Sequence, residues 1–298
     1  MSAQRTLALS PNPIGYRATF FAMGSDCEVL LQTPDPTLAQ TLAMRVANEV
    51  WRLQDTYSRY QPNAWLWQLN HAQGQWCELS AETAGLFAFI DQIYQLSEGL
   101  FDPTSGILGQ VWRFDPHAAL PKEEAISALL PFIGWPKVER QGHRVRLPKG
   151  MALDLGGLVK EWAADKALSR IAATHENLPV LINLGGDLRV SGPMRQDQPW
   201  QVGVRQPETP QATALLALHQ GGLATSGDEH RFILHQGKRY GHLLNPFTGW
   251  PVDQAPRSVT VAAPTCLLAG VLSSLALLKG EKAASFLQQQ QVLYWMIE

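Results

Sequence analysis

The run TFFAMGSDCEVLLQTPDP, residues 19–36, decides how the rest of the chain is read. Residues 19–22 and 27–31 are short apolar-rich stretches on either side of Met23-Gly24-Ser25-Asp26, a turn-forming tetrad, and so predict a strand pair. Asp35 and Pro36 then supply a helix cap and a first-turn proline. Leu38, Leu42, Val46, Val50 and Leu53 follow at helical spacing, predicting a helix to about Tyr57. Working outward, a second helix runs from Ser80 through Leu86, Phe89, Ile93 and Leu96 to about Gly99, a short one covers residues 121–130, and another covers 160–173. Strands are predicted over 180–184, 188–191, 200–205, 214–219, 231–234 and 258–262, with helices over 267–278 and 281–289 and a closing edge strand over 292–297. Strands and helices do not alternate regularly, which favours an α+β fold: a single compact domain, largely antiparallel sheet covered by helices. The domain is expected over residues 19–298, behind an N-terminal extension of residues 1–18.

Composition narrows the function. The 298 residues are 45% hydrophobic, ample for a core, and only 17% charged, below the roughly 25% of an average soluble protein. Lys and Arg total 24 against 26 Asp and Glu, with no long run of one sign. A nucleic-acid binder that neutralises phosphates needs a basic excess or stripe, so no nucleic-acid partner is expected. No apolar stretch approaches the ~18–20 residues of a membrane span. The N-terminus lacks the apolar segment and small-residue cleavage site of an exported precursor. Cys27, Cys77 and Cys266 are odd in number and widely spaced, suggesting neither a disulfide framework nor a cysteine zinc site. Together these point to the cytoplasm.

Five glycine-rich segments with polar turn residues stand apart from core packing: Phe101-Asp102-Pro103-Thr104-Ser105-Gly106, Asp154-Leu155-Gly156-Gly157 running on to Lys160, Asn183-Leu184-Gly185-Gly186-Asp187, Thr225-Ser226-Gly227-Asp228, and His242-Leu243-Leu244-Asn245-Pro246-Phe247-Thr248-Gly249. None is a P-loop or a dinucleotide fingerprint. Asp154-Leu155-Gly156-Gly157 before a helix is nonetheless a workable anion device. Two glycines let backbone amides approach a phosphate, the helix N-terminus adds partial positive charge, and Lys160 adds a point charge. Read singly, this segment is an ordinary tight turn and Thr225-Ser226-Gly227-Asp228 a hydroxyl-capped turn between strands. His242 could serve as a general base, though a lone histidine is more often structural. Trp51, Trp65, Trp67 and Trp112 could stack on an aromatic ligand, with packing the commoner use.

Taken together and in order, from about residue 19 to 280, these segments resemble the FAD:protein FMN transferase (ApbE) family. Phe21-Ala22-Met23-Gly24-Ser25 is similar to its opening strand end, and Tyr57-Ser58-Arg59-Tyr60 with Leu69-Asn70 to its aromatic stretch after the first helix. The five glycine-rich segments match its central and later motifs. The resemblance implies an enzyme that binds FAD, holds Mg2+ on the pyrophosphate, and transfers FMN to a Thr or Ser hydroxyl of a target flavoprotein with release of AMP. Carried over by motif, it implies that Met23, Tyr60, Phe101, Asp102 and Pro103 border the flavin or adenine. Asp154, Lys160, Thr225, Ser226 and Leu244 contact FAD. The Gly157 carbonyl and Ser274 bind the metal, and His242 is the base.

The sequence also departs from that pattern. The family's Ala-Asp-Ala-Leu-x-Thr, whose Asp and Thr bind metal, aligns with Ala269-Gly270-Val271-Leu272-Ser273-Ser274, so Gly270 brings no carboxylate. Asn245 replaces the usual Asp before Pro, Glu161 the usual Gly after Lys, and Glu229 an aromatic. A hard cation deprived of its charged ligand binds more weakly, unless Asp187, Asp228 or Glu161 compensates. Two other readings therefore stay open: an FAD-binding protein of the same fold without transfer, and an FAD pyrophosphatase.

Overall fold

A computed structural model describes residues 5–205, 212–229 and 231–298. At its centre lies an eight-stranded sheet made of β1 (Leu7–Asn12), β2 (Gly15–Ala22), β3 (Ser25–Leu31), β4 (Val180–Leu184), β5 (Asp187–Val190), β6 (Gly221–Gly227), β7 (Ser258–Ala263) and β8 (Leu293–Ile297). The strands lie side by side in chain order, each antiparallel to the next. The sheet is thus one meander, and every long excursion leaves and rejoins it between neighbours, as short uncrossed connections favour.

In the β2–β3 hairpin Ala22 pairs with Ser25, so the turn is only Met23 and Gly24, at φ 51° and 75°. Both central residues at positive φ is the two-residue geometry whose twist matches the flanking strands. The tetrad predicted as turn therefore shrinks to two residues, with Ser25 and Asp26 already in the ladder. Alternation follows the pleat: Ala18, Phe20, Ala22, Cys27, Val29 and Leu31 face inward, while Arg17, Thr19 and Phe21 are exposed.

Helix α1 (Pro36–Tyr57) starts where expected, Asp35 accepting hydrogen bonds from the amides of Thr37 and Leu38. It buries Leu42, Val46, Val50 and Leu53. Helix α2 (Ala81–Leu96) is capped by Ser80. Helices α3 (Val159–Ala172) and α4 (Cys266–Leu278) follow, with shorter helices over Trp65–His71, Glu123–Ser127 and Ala283–Gln289. α1 packs on β2 and β3, α3 on β4 and β5, and α4 on β6 and β7, so these three helices cover one face. The opposite face, with Leu181, Leu188, Val190 and Leu223, receives Trp200 and Val202 of the hairpin Trp200–Arg205/Ala212–Leu218. A separate apolar group, Ile107, Leu108, Trp112, Ile126, Ile133 and Ile233, lies beneath the loops. This is the expected α+β architecture. No helix among the described residues is long and apolar enough to cross a membrane.

Several expectations need correcting. Residues 5–18 are not an appendage: they supply edge strand β1 and the start of β2. Thr225-Ser226-Gly227 is not a turn but the end of β6, hydrogen-bonded to β7 through Gly227. Its glycines serve close approach: a Cβ on Gly222 would lie 2.4 Å from the Cys266 amide nitrogen. Phe101–Gly106 opens a 3-10 helix, Pro103–Gln110, capped by Asp102, and the helix expected over 121–130 shrinks to Glu123–Ser127 and a 3-10 turn.

Candidate functional site

The residues that converge do so where α3 meets β5, with β6 joined to β5 through the Thr225 amide and Asp187. Exposed Gly156 and Gly157 lead into α3, which begins without a side-chain cap. Lys160, in its first turn, places Nζ 2.6 Å from Oδ2 of Asp187, the first residue of β5. Asp187 is only 2% exposed, and its other oxygen accepts from the Thr225 amide at 3.3 Å. Burial works against the Lys160 charge, but the adjacent carboxylate outweighs it and holds the ammonium above its usual range. A Cβ on Gly185 (φ 63°) would lie 2.6 Å from Ser25 Oγ and 3.7 Å from Lys160 Nζ, so the β4–β5 turn brings Ser25, two residues from Met23, beside Lys160. Further along β6, Thr225 Oγ1 meets Thr260 Oγ1 at 2.8 Å, and Ser226 Oγ lies 2.8 and 2.9 Å from the hydroxyls of Ser273 and Ser274.

Glu161 sits in the same seam, 8% exposed, and its Oε2 has no hydrogen-bond partner among the described residues. Burial, and after it the charge of Asp187, pushes its carboxyl up to about 8. A Cβ on Gly270 would lie 2.6 Å from Glu161 Cγ and 3.0 Å from Cδ and Oε1. The missing side chain at 270 is thus the space Glu161 fills. No group of three or more His, Cys, Asp or Glu side chains gathers among the described residues, so a protein-only metal cage is absent from them. An unpartnered carboxyl oxygen on a side chain packed against Gly270, four residues before Ser274 on α4, does fit Mg2+, which takes one or two carboxylates and completes its shell with water and substrate phosphates.

Beyond the end of β6, Asp228 accepts from Arg239 Nε at 2.6 Å and Arg257 Nε at 3.2 Å. A Cβ on Gly241 would lie 3.2 Å from Asp228 Cβ, a close approach that brings the next residue, His242, to this end of the strand. Nδ1 of His242 is buried without a hydrogen-bond partner among the described residues, and burial, then the charge of Arg231, lowers the imidazole to about 4. At neutral pH the ring is therefore uncharged, and while it stays buried it is a weaker base than an ordinary imidazole. Leu244 pairs with Pro251 and packs into the loop-side apolar group, and the Asn245 side chain accepts from the Phe247 amide, closing the turn.

Asp154 has both oxygens engaged, one by the Gly156 amide at 2.8 Å and one by Arg59 at 2.5 Å. Tyr60, beside Arg59, is 81% exposed. Asp102 is turned inward, accepting from Thr104 N, Thr104 Oγ1 and Trp135 N, while Pro103 is buried and Phe101 half-buried. Trp51 and Trp112 are buried and pack on Phe20 and Phe114. Lys160, Thr225, Ser226 and Ser274 are therefore joined through Asp187 and the serine hydroxyls. Asp154 and Tyr60 form a second group about Arg59, and His242 a third beside Asp228. Two features escaped the sequence reading: Arg59 as the partner of Asp154, and the contact of Glu161 with Gly270. The paired departures at 161 and 270, one gaining a carboxylate and one lacking it, were the available signal for the second.

The ApbE family model matches residues 23–296. The FAD:protein FMN transferase of Vibrio cholerae is 26% identical over 277 residues, 90% of this chain and 82% of that protein. The enzyme of the same name from Treponema pallidum is 31% identical over 230 residues, 68% and 62% of the two chains. The crystal structure of the ApbE protein from Thermotoga maritima shares the fold at a TM-score of 0.85 and 26% identity, covering 98% of this chain and 94% of that one. The apo flavinyl transferase ApbE of Pseudomonas stutzeri, 22% identical, shares the fold at 0.79, covering 98% and 90%. The chain belongs to the ApbE family.

Proposed function

We propose that this chain transfers FMN from FAD to a Thr or Ser hydroxyl of a target flavoprotein, releasing AMP; its relatives in Vibrio cholerae and Treponema pallidum are FAD:protein FMN transferases. The observation that carries the reading is the convergence of the Lys160–Asp187 pair, the uncapped start of α3 and the Ser226–Ser274 hydroxyls. That combination suits a pyrophosphate, whose transfer chemistry rests on positioning and charge neutralisation. The acceptor hydroxyl oxygen bonds to the flavin-side phosphorus, the bond from that phosphorus to the bridging oxygen breaks, and AMP leaves with the electron pair. His242, in the position the motif assigns to the base and uncharged at neutral pH, takes the hydroxyl proton. Lys160, already paired with Asp187, donates its remaining ammonium hydrogens to the phosphate. Mg2+ bound at the Gly157 carbonyl and Ser274 hydroxyl would add to that neutralisation. Three free cysteines, two of them buried, support a reducing cytoplasmic setting.

The test is incubation of the purified chain with FAD, Mg2+ and an acceptor carrying a threonine motif, followed by in-gel flavin fluorescence and quantification of AMP. Covalent flavin with equimolar AMP is expected. Free FMN with AMP would instead mean hydrolysis by water, and bound FAD with neither product would mean a binding protein.

A further inference from the structure

We propose that Glu161 is a cation ligand of this site, a carboxylate delivered from α3 into space that Gly270 of α4 leaves open. The inference deepens the metal-dependent part of the function just proposed and rests on it. The pairing is steric first. With its Cβ position only 2.6 Å from Glu161 Cγ, residue 270 cannot carry a side chain while Glu161 keeps its place. The chain thus has room for one carboxylate here, and α3 provides it.

The state of that carboxylate points to a missing partner. Glu161 is more than nine-tenths buried, yet Oε2 has no donor among the described residues. Buried carboxylates are ordinarily paired, hydrogen-bonded or bound to metal. The neighbouring cation, Lys160, is 2.6 Å from Asp187. Gly270 and Ser274 are four residues apart on α4 and share one helix face, so the carboxylate lying on Gly270 is about one turn from the Ser274 hydroxyl. Ser226 Oγ is 2.9 Å from that hydroxyl. One carboxylate and neutral oxygens leave further positions for phosphate oxygens and water, the arrangement that suits Mg2+ or Mn2+.

Mn2+ binding to the full chain saturated with FAD, followed by electron paramagnetic resonance of the free ion, tests this directly. Glu161→Gln should weaken Mn2+ binding by at least about tenfold, since losing a charged ligand should cost no less than losing a supporting outer-shell group. FAD affinity measured without metal should stay within about twofold. The exchange Glu161→Gly with Gly270→Asp, which returns one carboxylate from the opposite helix, should recover most of the loss. Wild-type affinity in both Glu161→Gln and Glu161→Ala would overturn the inference and leave the transferase reading intact. A wild-type chain that binds FAD but no Mn2+ would overturn the inference together with metal dependence.

Discussion

Asp102 and Glu161 are both buried carboxylates, 7% and 8% exposed, yet they are handled in opposite ways. Around Asp102 the chain supplies donors: Thr104 N at 2.8 Å, Thr104 Oγ1 at 2.5 Å and Trp135 N at 2.9 Å. These offset part of the burial that pushes its carboxyl up. Glu161 has one oxygen unpartnered and a carboxyl pushed up to about 8. Burial alone therefore says little about what an acid is for. A satisfied carboxylate ties loop to loop, whereas an orphaned one marks where something from outside completes the structure.

The largest effect should come from breaking the satisfied site. Asp102→Asn places an amide donor against at least one existing donor, and urea unfolding should show a loss of about 3 to 4 kcal/mol, since hydrogen bonds to a buried charge are worth about 1.5–3 each. A loss below 1 would mean that the donors around Asp102 are incidental.

His242 extends the contrast to a buried base. Its unfolded value is about 6.5 and its folded value about 4, so between these the unfolded chain binds more protons and stability falls as pH drops from 6.5 toward 4. The loss should reach about 2 to 3 kcal/mol, each pKa unit corresponding to about 1.4. Urea titrations at pH 7 and pH 5 should show a smaller acid loss for His242→Gln than for wild type, whereas equal losses would assign the acid sensitivity to other groups.

Gly270 tests the steric half of the comparison. In a helix interior Ala is preferred to Gly by roughly 1 kcal/mol. Here Gly270→Ala should instead destabilise by about 1 to 2 kcal/mol, because overpacking a filled space costs about 1–3. In a Glu161→Gly background the same change should become neutral or stabilising. A sign that does not reverse would show that Glu161 is not what occupies the space.

How much of this was legible in the sequence follows from the range of the interactions. Asp35, Pro36 and the apolar spacing of α1 are local signals, and the helix begins and ends as they indicate. The hairpin at Met23-Gly24 is equally local. Thr225-Ser226-Gly227 was misread because glycine and hydroxyl residues favour turns locally, while this segment is held extended by the β7 ladder, formed with residues some thirty positions away. β1 is not legible locally, since it holds Pro11, which an edge strand tolerates but a strand pattern does not predict. At the site, Lys160 and Ser226 were found through motif order. Their joining by Asp187 and Ser274 is tertiary, as are the Arg59–Asp154 pair and the fit of Glu161 against Gly270. Reciprocal departures at 161 and 270 are visible in the sequence, but only contact shows that they concern one space.

The smallest expected effect is the most discriminating, because it makes the acid-to-amide change of Asp102→Asn at the other carboxylate. Glu161→Gln keeps shape and volume and removes an acid whose Oε2 has no donor to lose. With its carboxyl pushed up to about 8 the acid is largely uncharged near neutral pH, so the exchange removes an acid O–H and adds an amide N–H, each a buried donor of similar cost if unpartnered. The two nearly cancel, and urea unfolding without metal should place the variant within about 1 kcal/mol of wild type. Adding Mn2+ and FAD should then separate the two proteins, since a ligand that binds only the folded state stabilises it in proportion to its affinity. Wild type should gain in melting temperature more than the variant does. If Glu161→Gln instead loses as much as Asp102→Asn without metal, Glu161 is a structural acid like Asp102, and the contrast between the two carboxylates disappears.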